Sequence, residues 1–360
     1  MTAPIVSIVI PGYNGEAFLA DTLASLATQT LTDWEAIVVD DCSADGTRDL
    51  VRGWADPRVR LIENAVNGGP VRTRNRGVAA ARGRFIAGLD QDDLCLPERL
   101  ARQVAYLDAH PDVVLVGAQA EQLRDGRVSA MHYAPHTTPD LIAWLSWIEN
   151  PLVWSTVMVR SEVARALDPF TRPEILYAED FDLYHRVGAF GRIARLDMPL
   201  LRYRQHAAGA SQRFTETMRQ SAMRVLAERH AAVLGVAAAE ELARLLVLHN
   251  MGGVPVPDRA TLQRLGAGIT TLQTAFLAQE RPDAESRQLI RWETARRWAR
   301  IGRAGLRSGA VRLGDVVRAR PPHLGLGYAG IETLAWCAAV GAVRRMQERR
   351  AAADQAGQRL

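Results

Sequence analysis

The chain has 360 residues, long enough to bury a sizeable core as one large domain or two ordinary ones. Its 44 basic and 40 acidic side chains leave a net charge of +4, too mild to imply nucleic-acid binding, and every basic residue is an arginine because lysine is absent. The cysteines Cys42, Cys95 and Cys337 have neither the spacing of a zinc site nor the density of a disulfide scaffold, which fits a reducing cytoplasm.

Residues 6–10, Val-Ser-Ile-Val-Ile, read as a first strand, with no basic leader or small-residue cleavage site before it, so no secretory signal is expected. Further strands are expected over 36–39, 59–62, 85–89 and 113–116, separated by amphipathic helical stretches over 17–28, 46–54, 70–81 and 97–109. The alternation predicts an α/β domain, and the continuous apolar character of the strands predicts a mainly parallel sheet flanked by helices on both faces. From 128 to 204 the pattern is less regular, with Trp144, Trp147 and Trp154 followed by the acidic stretch Glu179-Asp180-Phe181-Asp182. Tryptophans stack on sugar rings but serve equally well in a core. Beyond about Gln212, Ala, Leu, Arg and Glu recur at helical spacing, broken near Gly252-Gly253, Arg281-Pro282 and Pro321-Pro322. The expected division is 1–212 for the α/β domain and 213–360 for an all-α C-terminal domain. The apolar stretch 328–343 contains Glu332 and falls short of the roughly 20 residues a spanning helix needs. The last few residues are expected to fray.

Three strand ends carry the chemistry. Asp90-Gln91-Asp92-Asp93 places three carboxylates directly after the strand at 85–89. Like charges this close repel, and a hard divalent cation, Mg²⁺ or Mn²⁺, would neutralise them; a solvated acidic turn capping the next helix is the simpler alternative. Asp40-Asp41 ends the strand at 36–39, where a carboxylate can accept the ring N–H of a uracil or the hydroxyls of a ribose, while Asp45 suits a helix N-cap. The first strand runs into Pro11-Gly12-Tyr13-Asn14-Gly15-Glu16, which offers an aromatic face for a base but neither dinucleotide-binding nor P-loop spacing. In open α/β sheets the carboxyl ends of the strands are where ligands bind.

In this order the motifs resemble the family 2 glycosyltransferases of the GT-A fold. The resemblance rests on Pro11-x-Tyr13-Asn14-x-Glu16, on Asp40-Asp41-Cys42-Ser43-x-Asp45-Gly46-Thr47, on Arg74-Asn75-x-Gly77, and on Asp90-x-Asp92-Asp93. It continues through Glu179-Asp180-x-Asp182-Leu183 to Tyr203-Arg204-x-His206, about three-fifths of the chain. It implies that Pro11, Tyr13, Glu16 and Asp41 line a nucleoside pocket, with Arg74 near the base or diphosphate. It also implies that Asp90 and Asp92 form an Asp-x-Asp element binding the nucleotide sugar, and that Asp92 or Asp93, with His206, holds Mg²⁺ or Mn²⁺. Asp180 is the implied general base of an inverting transfer from a nucleotide diphosphate sugar, UDP-linked, to a glycan or lipid-linked acceptor. The Gln-x-x-Arg-Trp element of the family's processive synthases does not follow this base, where Leu183-Tyr184-His185-Arg186-Val187 stands instead, so transfer of a single sugar is expected.

Two other readings stay open at this stage. A sugar nucleotidyltransferase also uses strand-end carboxylates and a metal, but the loop after the first strand lacks the cationic phosphate loop such enzymes carry; a non-catalytic scaffold would not need intact acidic sets. In the helical part, Arg291, Arg296, Arg297 and Arg300 interleave with Trp292 and Trp298, and Arg344-Arg345 and Arg349-Arg350 follow an apolar stretch. Such elements fit peripheral contact with the inner face of an anionic membrane, and equally a solvated face on a packing or homo-oligomerising helix.

Overall fold

The computed structural model describes residues 3–321, 324 and 331–357. The tail of the chain, Gly325 to Gly330 at the start of the late apolar stretch, and Pro322 of the proline pair lie outside the described residues. The chain forms two compact units, 1–146 with 150–221, and 147–149 with 222–360.

The first unit is built on one mixed sheet. Its strands are β1 (Val6–Gly12), β2 (Trp34–Asp40), β3 (Val59–Glu63), β4 (Phe85–Gly88), β5 (Leu94–Cys95), β6 (Val113–Arg124), β7 (Arg127–Ala130), β8 (Met158–Arg160) and β9 (Arg192–Gln205). Among the described residues they lie in the order β3-β2-β1-β4-β8-β6-β9-β5, with β7 paired on β6. The β3-β2-β1-β4 half is parallel, so β1, β2 and β4 all end on one rim. Beyond β4 the sheet turns mixed: β8 is antiparallel to both β4 and β6, whereas β6 runs parallel to β9.

The helices of this unit are α1 (Leu19–Ala27), α2 (Thr47–Arg52), α3 (Gly69–Ala80), α4 (Arg99–Ala109), α5 (Pro139–Ser146), α6 (Ser161–Ala166), α7 (Glu179–Val187) and the short α8 (Ala210–Arg213). Side chains alternate across a strand, so each parallel strand feeds two cores. Val6, Ile8, Ile10, Val38 and Phe85 join Leu23 of α1 and Leu100 of α4 in one cluster. Val9, Ile37, Val39 and Ile86 join Val78 of α3 and Leu183 of α7 in the other. Burial on both faces explains why these strands read as unbroken apolar runs.

The second half of the sheet is where the sequence reading falls short. β6 continues to Arg124, well past the apolar residues 113–116, through alternating residues that give no continuous run. A tight turn at Asp125-Gly126, both at positive φ, leads into β7. β9 spans 14 residues and includes Pro199, which a central strand rarely tolerates. The proline is accommodated because its partner Gln119 lies at a register shift, where a ladder hydrogen bond is already lost.

The second unit is helical. From Ala222 it contains the greater part of α9 (Thr215–Leu234), then α10 (Val236–Leu245), which runs into a π-helical turn over Leu246–Met251, and α11 (Arg259–Glu280), α12 (Ala284–Ser308), α13 (Leu313–Arg318) and α14 (Ile331–Gly357). Asp258 and Asp283 cap α11 and α12 by accepting the N–H of Thr261 and Ser286. The segment 147–149 is bound into this unit: the Nε2–H of His230 donates to Trp147 O at 2.7 Å, and Glu149 pairs with Arg297. Arg297 also bonds Glu293, Arg300 donates to the carbonyl of Asn250, and Trp298 is buried. Much of the basic and aromatic cluster of α12 therefore consolidates the helical unit rather than forming a free face. No helix among the described residues is long and apolar enough to cross a membrane.

Candidate active site

The rim formed by the ends of β1, β2 and β4 gathers the motif residues. Pro11 lies near the end of β1, and the loop that follows, carrying Tyr13 and Glu16, is joined to the loop after β2 by a run of hydrogen bonds. Asn14 N–H donates to Ser43 Oγ, Gly15 N–H to Thr47 Oγ1 and Glu16 N–H to Asp45, while Glu16 Oε2 accepts Gly46 N–H at 3.0 Å. Glu16 and Asp45 are thus structural partners across the two loops. Tyr13 remains 49% exposed, its ring open to a planar ligand.

Asp41 is almost wholly buried and already well satisfied. Its carboxylate accepts the N–H groups of Gly68 and Gly69, both at 2.8 Å, and the amide of Asn64 at 2.7 Å, which fixes the entry to α3. Asp40, also buried, accepts Ser43 N–H with one oxygen and leaves the other without a partner.

Beyond β4 and Leu89, the four residues Asp90 to Asp93 take four different roles. The N–H of Asp90 donates to Ser155 Oγ, and its carboxylate lies 4.0 Å from Arg74 Nη2. Withdrawal from water pushes Asp90 up to about 7; Arg74 opposes the rise, while Asp92, Glu179 and Asp180 add to it. Gln91 points back to β1, where its amide accepts Tyr13 N–H at 2.9 Å and donates to Tyr13 O at 3.0 Å. This side chain clamps the aromatic loop to the acidic loop, and a Cβ on Gly15 would collide with it. Asp92 Oδ2 lies 2.8 Å from His206 Nε2, and both side chains are partly exposed. Asp93 is fully buried, accepts Arg204 N–H at 2.9 Å, and leaves Oδ2 without a partner. Burial, with Asp92 and Asp90 nearby, holds its carboxyl well above the usual range. Arg204 closes the corner: its Nε donates to Asp92 O, Nη2 pairs with Asp21, and the guanidinium lies over the ring of Phe18.

The acidic stretch that opens α7 is likewise divided. Glu179 is buried against Arg74, whose guanidinium stacks on Trp154 at 4.1 Å, so Arg74 sits among Glu179, Asp90 and that indole. Asp182 is buried against Arg172 at 2.6 Å and lies 3.7 Å from Arg186. Asp180 is instead held by two neutral donors, Asn150 Nδ2 at 3.0 Å and the N–H of Phe181 at 2.7 Å. Burial and the neighbouring Glu179 raise its carboxyl to about 6, against the opposing pull of Asn150 and Arg74. The three tryptophans singled out in the sequence are all buried, Trp154 as the floor beneath Arg74.

The structure thus brings Arg74, Asp90 and Asp180 into one electrostatic group, with Asp92 and His206 as a touching pair. Asp41, Glu16 and Asp93 are bound into the framework of the same rim. Sequence reading quoted Gln91 and Glu179 within the motifs without giving either a task, and it missed Asn150. Asn150 precedes Asp180 by 30 positions with no motif joining them, and only the fold shows the contact.

Comparison with known proteins bears on the family to which the chain belongs. The family profile "Glycosyl transferase family 2" matches residues 7–167. "Putative glycosyltransferase EpsH" of Bacillus subtilis is 30% identical over 243 residues, covering 65% of this chain and 70% of that protein. The Escherichia coli "UDP-Glc:alpha-D-GlcNAc-diphosphoundecaprenol beta-1,3-glucosyltransferase WfgD" is 27% identical over 219 residues, 60% of this chain and 83% of its own length. Coverage of relatives varies widely, and the match reaches only 20%, 42% and 30% of the length of three others. Among solved structures, S. aureus TarS 1-349 in complex with UDP superposes with a TM-score of 0.52 at 20% identity, covering 95% of this chain and 91% of that one, a likeness of GT-A fold. With the profile matched over residues 7–167 and 30% identity to a relative over 70% of that relative's length, the chain belongs to glycosyl transferase family 2.

Proposed function

We propose that this chain moves a single sugar from a nucleotide diphosphate sugar, UDP-linked, to an acceptor hydroxyl with inversion at the anomeric carbon. The observation that carries the reading is Asp180: in a run of acids whose other members are neutralised by arginine, it alone is held by neutral donors, with its carboxyl raised to about 6. A carboxylate in that state accepts a proton near neutral pH and is not committed to a structural ion pair.

In this mechanism the exposed ring of Tyr13 receives the base of the donor. Asp92 and His206 converge at 2.8 Å, as two protein ligands of one divalent cation would. Among the described residues no group of three or more such ligands is present, so on this reading the other ligands would have to be phosphate oxygens and water. Asp92 and His206 would hold Mg²⁺ or Mn²⁺ there, which would supply charge to stabilise the departing diphosphate. Asp93, enclosed and engaged with β9, supports the loop rather than reaching the ion. Asp180 takes the proton of the acceptor hydroxyl as that oxygen attacks the anomeric carbon from the face opposite the breaking bond to the diphosphate. Arg74 pairs with Glu179 and offsets part of the rise that Glu179 imposes on Asp180.

The acceptor we propose is a glycan or lipid-linked saccharide in cell-surface polysaccharide or glycoconjugate synthesis. The diphosphoundecaprenol acceptor in the name of WfgD supports this class, as do relatives named for teichuronic acid and succinoglycan biosynthesis. The test is single-turnover transfer by Asp180→Asn, an isosteric change that keeps the contact with Asn150. Transfer is expected to fall by roughly 10²–10⁴-fold with donor affinity retained. Unchanged transfer would remove the base assignment.

A further inference from the structure

The helix α14 presents a face that the described chain leaves largely open, with the guanidinium of Arg307 lying over the ring of Trp336 at 5.7 Å. Trp336, Val343 and Met346 are 59%, 53% and 57% exposed, on a helix whose opposite side, through Leu334, Cys337 and Gly341, is buried against its own unit. Glu332, Trp336, Ala339, Val343, Met346 and Arg350 are spaced alternately four and three residues apart, the repeat that places side chains on one seam of a coiled coil. All six are exposed.

The order of residues along that seam selects its partner. An acid stands at one end and an arginine at the other, with four apolar residues between, and the seam is self-complementary when a second copy runs antiparallel. Centred on the level of residue 341, such a pairing sets Glu332 against Arg350, Trp336 against Met346, and Ala339 against Val343, each pair formed twice about a two-fold axis. Parallel pairing would instead set Glu332 against Glu332 and Arg350 against Arg350. The flanks favour close approach: Ala335, Val340 and Ala342 are small or apolar and bring no like charges together. An anionic bilayer would welcome Arg350 but not Glu332 on the same buried line. The contact would extend over about 27 Å, the rise of the 18 residues separating its ends. We infer that α14 is a dimerisation helix, pairing antiparallel with α14 of a second copy of this chain through the seam from Glu332 to Arg350.

The experiment is sedimentation equilibrium of the full chain, with Glu332→Arg, Arg350→Glu and the double variant. All three changes lie on an exposed face, and circular dichroism checks that the helices remain. The wild-type chain is expected to dimerise in the micromolar range; each single variant weakens association by roughly tenfold, because the two-fold axis turns two exposed ion pairs into two repulsions, and the double variant restores it. Val343→Glu, which places a charge at the centre of the seam, abolishes the dimer. A wild-type chain that stays monomeric at high micromolar concentration overturns the inference, as does a double variant no better than the singles. A monomer that binds vesicles containing anionic phospholipid through Trp336, read by its fluorescence, would assign the face to a membrane instead.

Discussion

At the scale of the residue, neighbours along the sequence do different work. Glu179, Asp180 and Asp182 are close in sequence, yet two of them are bound to arginines and one is held by amides. That difference sets a pH dependence. In its proposed role as base Asp180 acts only when deprotonated, and its carboxyl is raised to about 6 by burial and by Glu179. Below that pH the proton is already in place and the acceptor hydroxyl finds no base, so the single-turnover rate should rise about tenfold per pH unit up to near 6 and level above it. A pH–rate profile at saturating donor and metal checks this, and a limb near 4 would show Asp180 to be unshifted or not the base. Asp90, Gln91, Asp92 and Asp93 make the same point: four consecutive residues face a guanidinium, a neighbouring loop, a histidine and the interior of the sheet.

At the scale of the element, the parallel strands and their helices were legible because both faces of the sheet are buried and each helix carries one apolar stripe. β9 was not, because its proline and arginines are tolerated only through bulges and partners supplied by β6. Gly77 belongs to this scale. The sequence motif includes it without giving it a task; in the structure it lets α3 lie directly on the sheet, where a Cβ would strike Val9 and come within 3.1 Å of Val39 Cγ2. Gly77→Ala should therefore lift α3 from β1 and β2 and destabilise the first unit by about 1–3 kcal/mol, despite the better helix propensity of alanine. Urea denaturation measures it. A stabilised variant would mean that the helix shifts without cost. Because Arg74 is carried on the same helix, the displaced α3 should also weaken donor binding.

At the scale of the whole molecule, the proposed function requires that the nucleotide and the cation be bound together by loops of different strands. Neither Tyr13, after β1, nor the Asp92–His206 pair, drawn from the ends of β4 and β9, makes a site alone. UDP with Mn²⁺ should raise the melting temperature of the first unit by more than the sum of the shifts from either ligand alone, with about 2.7 kcal/mol of stabilisation at a hundred times the dissociation constant. Differential scanning fluorimetry with and without a chelator reads this, and Asp92→Asn should remove the metal-dependent part. Equal shifts in the presence of chelator would detach the cation from these residues.

The sequence by itself determined the alternation of strands and helices, the family resemblance and the rim on which the acids fall, because burial on two faces and turn chemistry leave a local trace in the order of residues. Which acid stays available was decided only by the tertiary structure. Arg74 pairs with Glu179 across 105 positions and Arg204 engages Asp93 across 111, while the contact holding Asp180 across 30 positions comes from the neutral amide of Asn150. A carboxylate's reactivity depends on what surrounds it in space, and no local pattern records partners that distant.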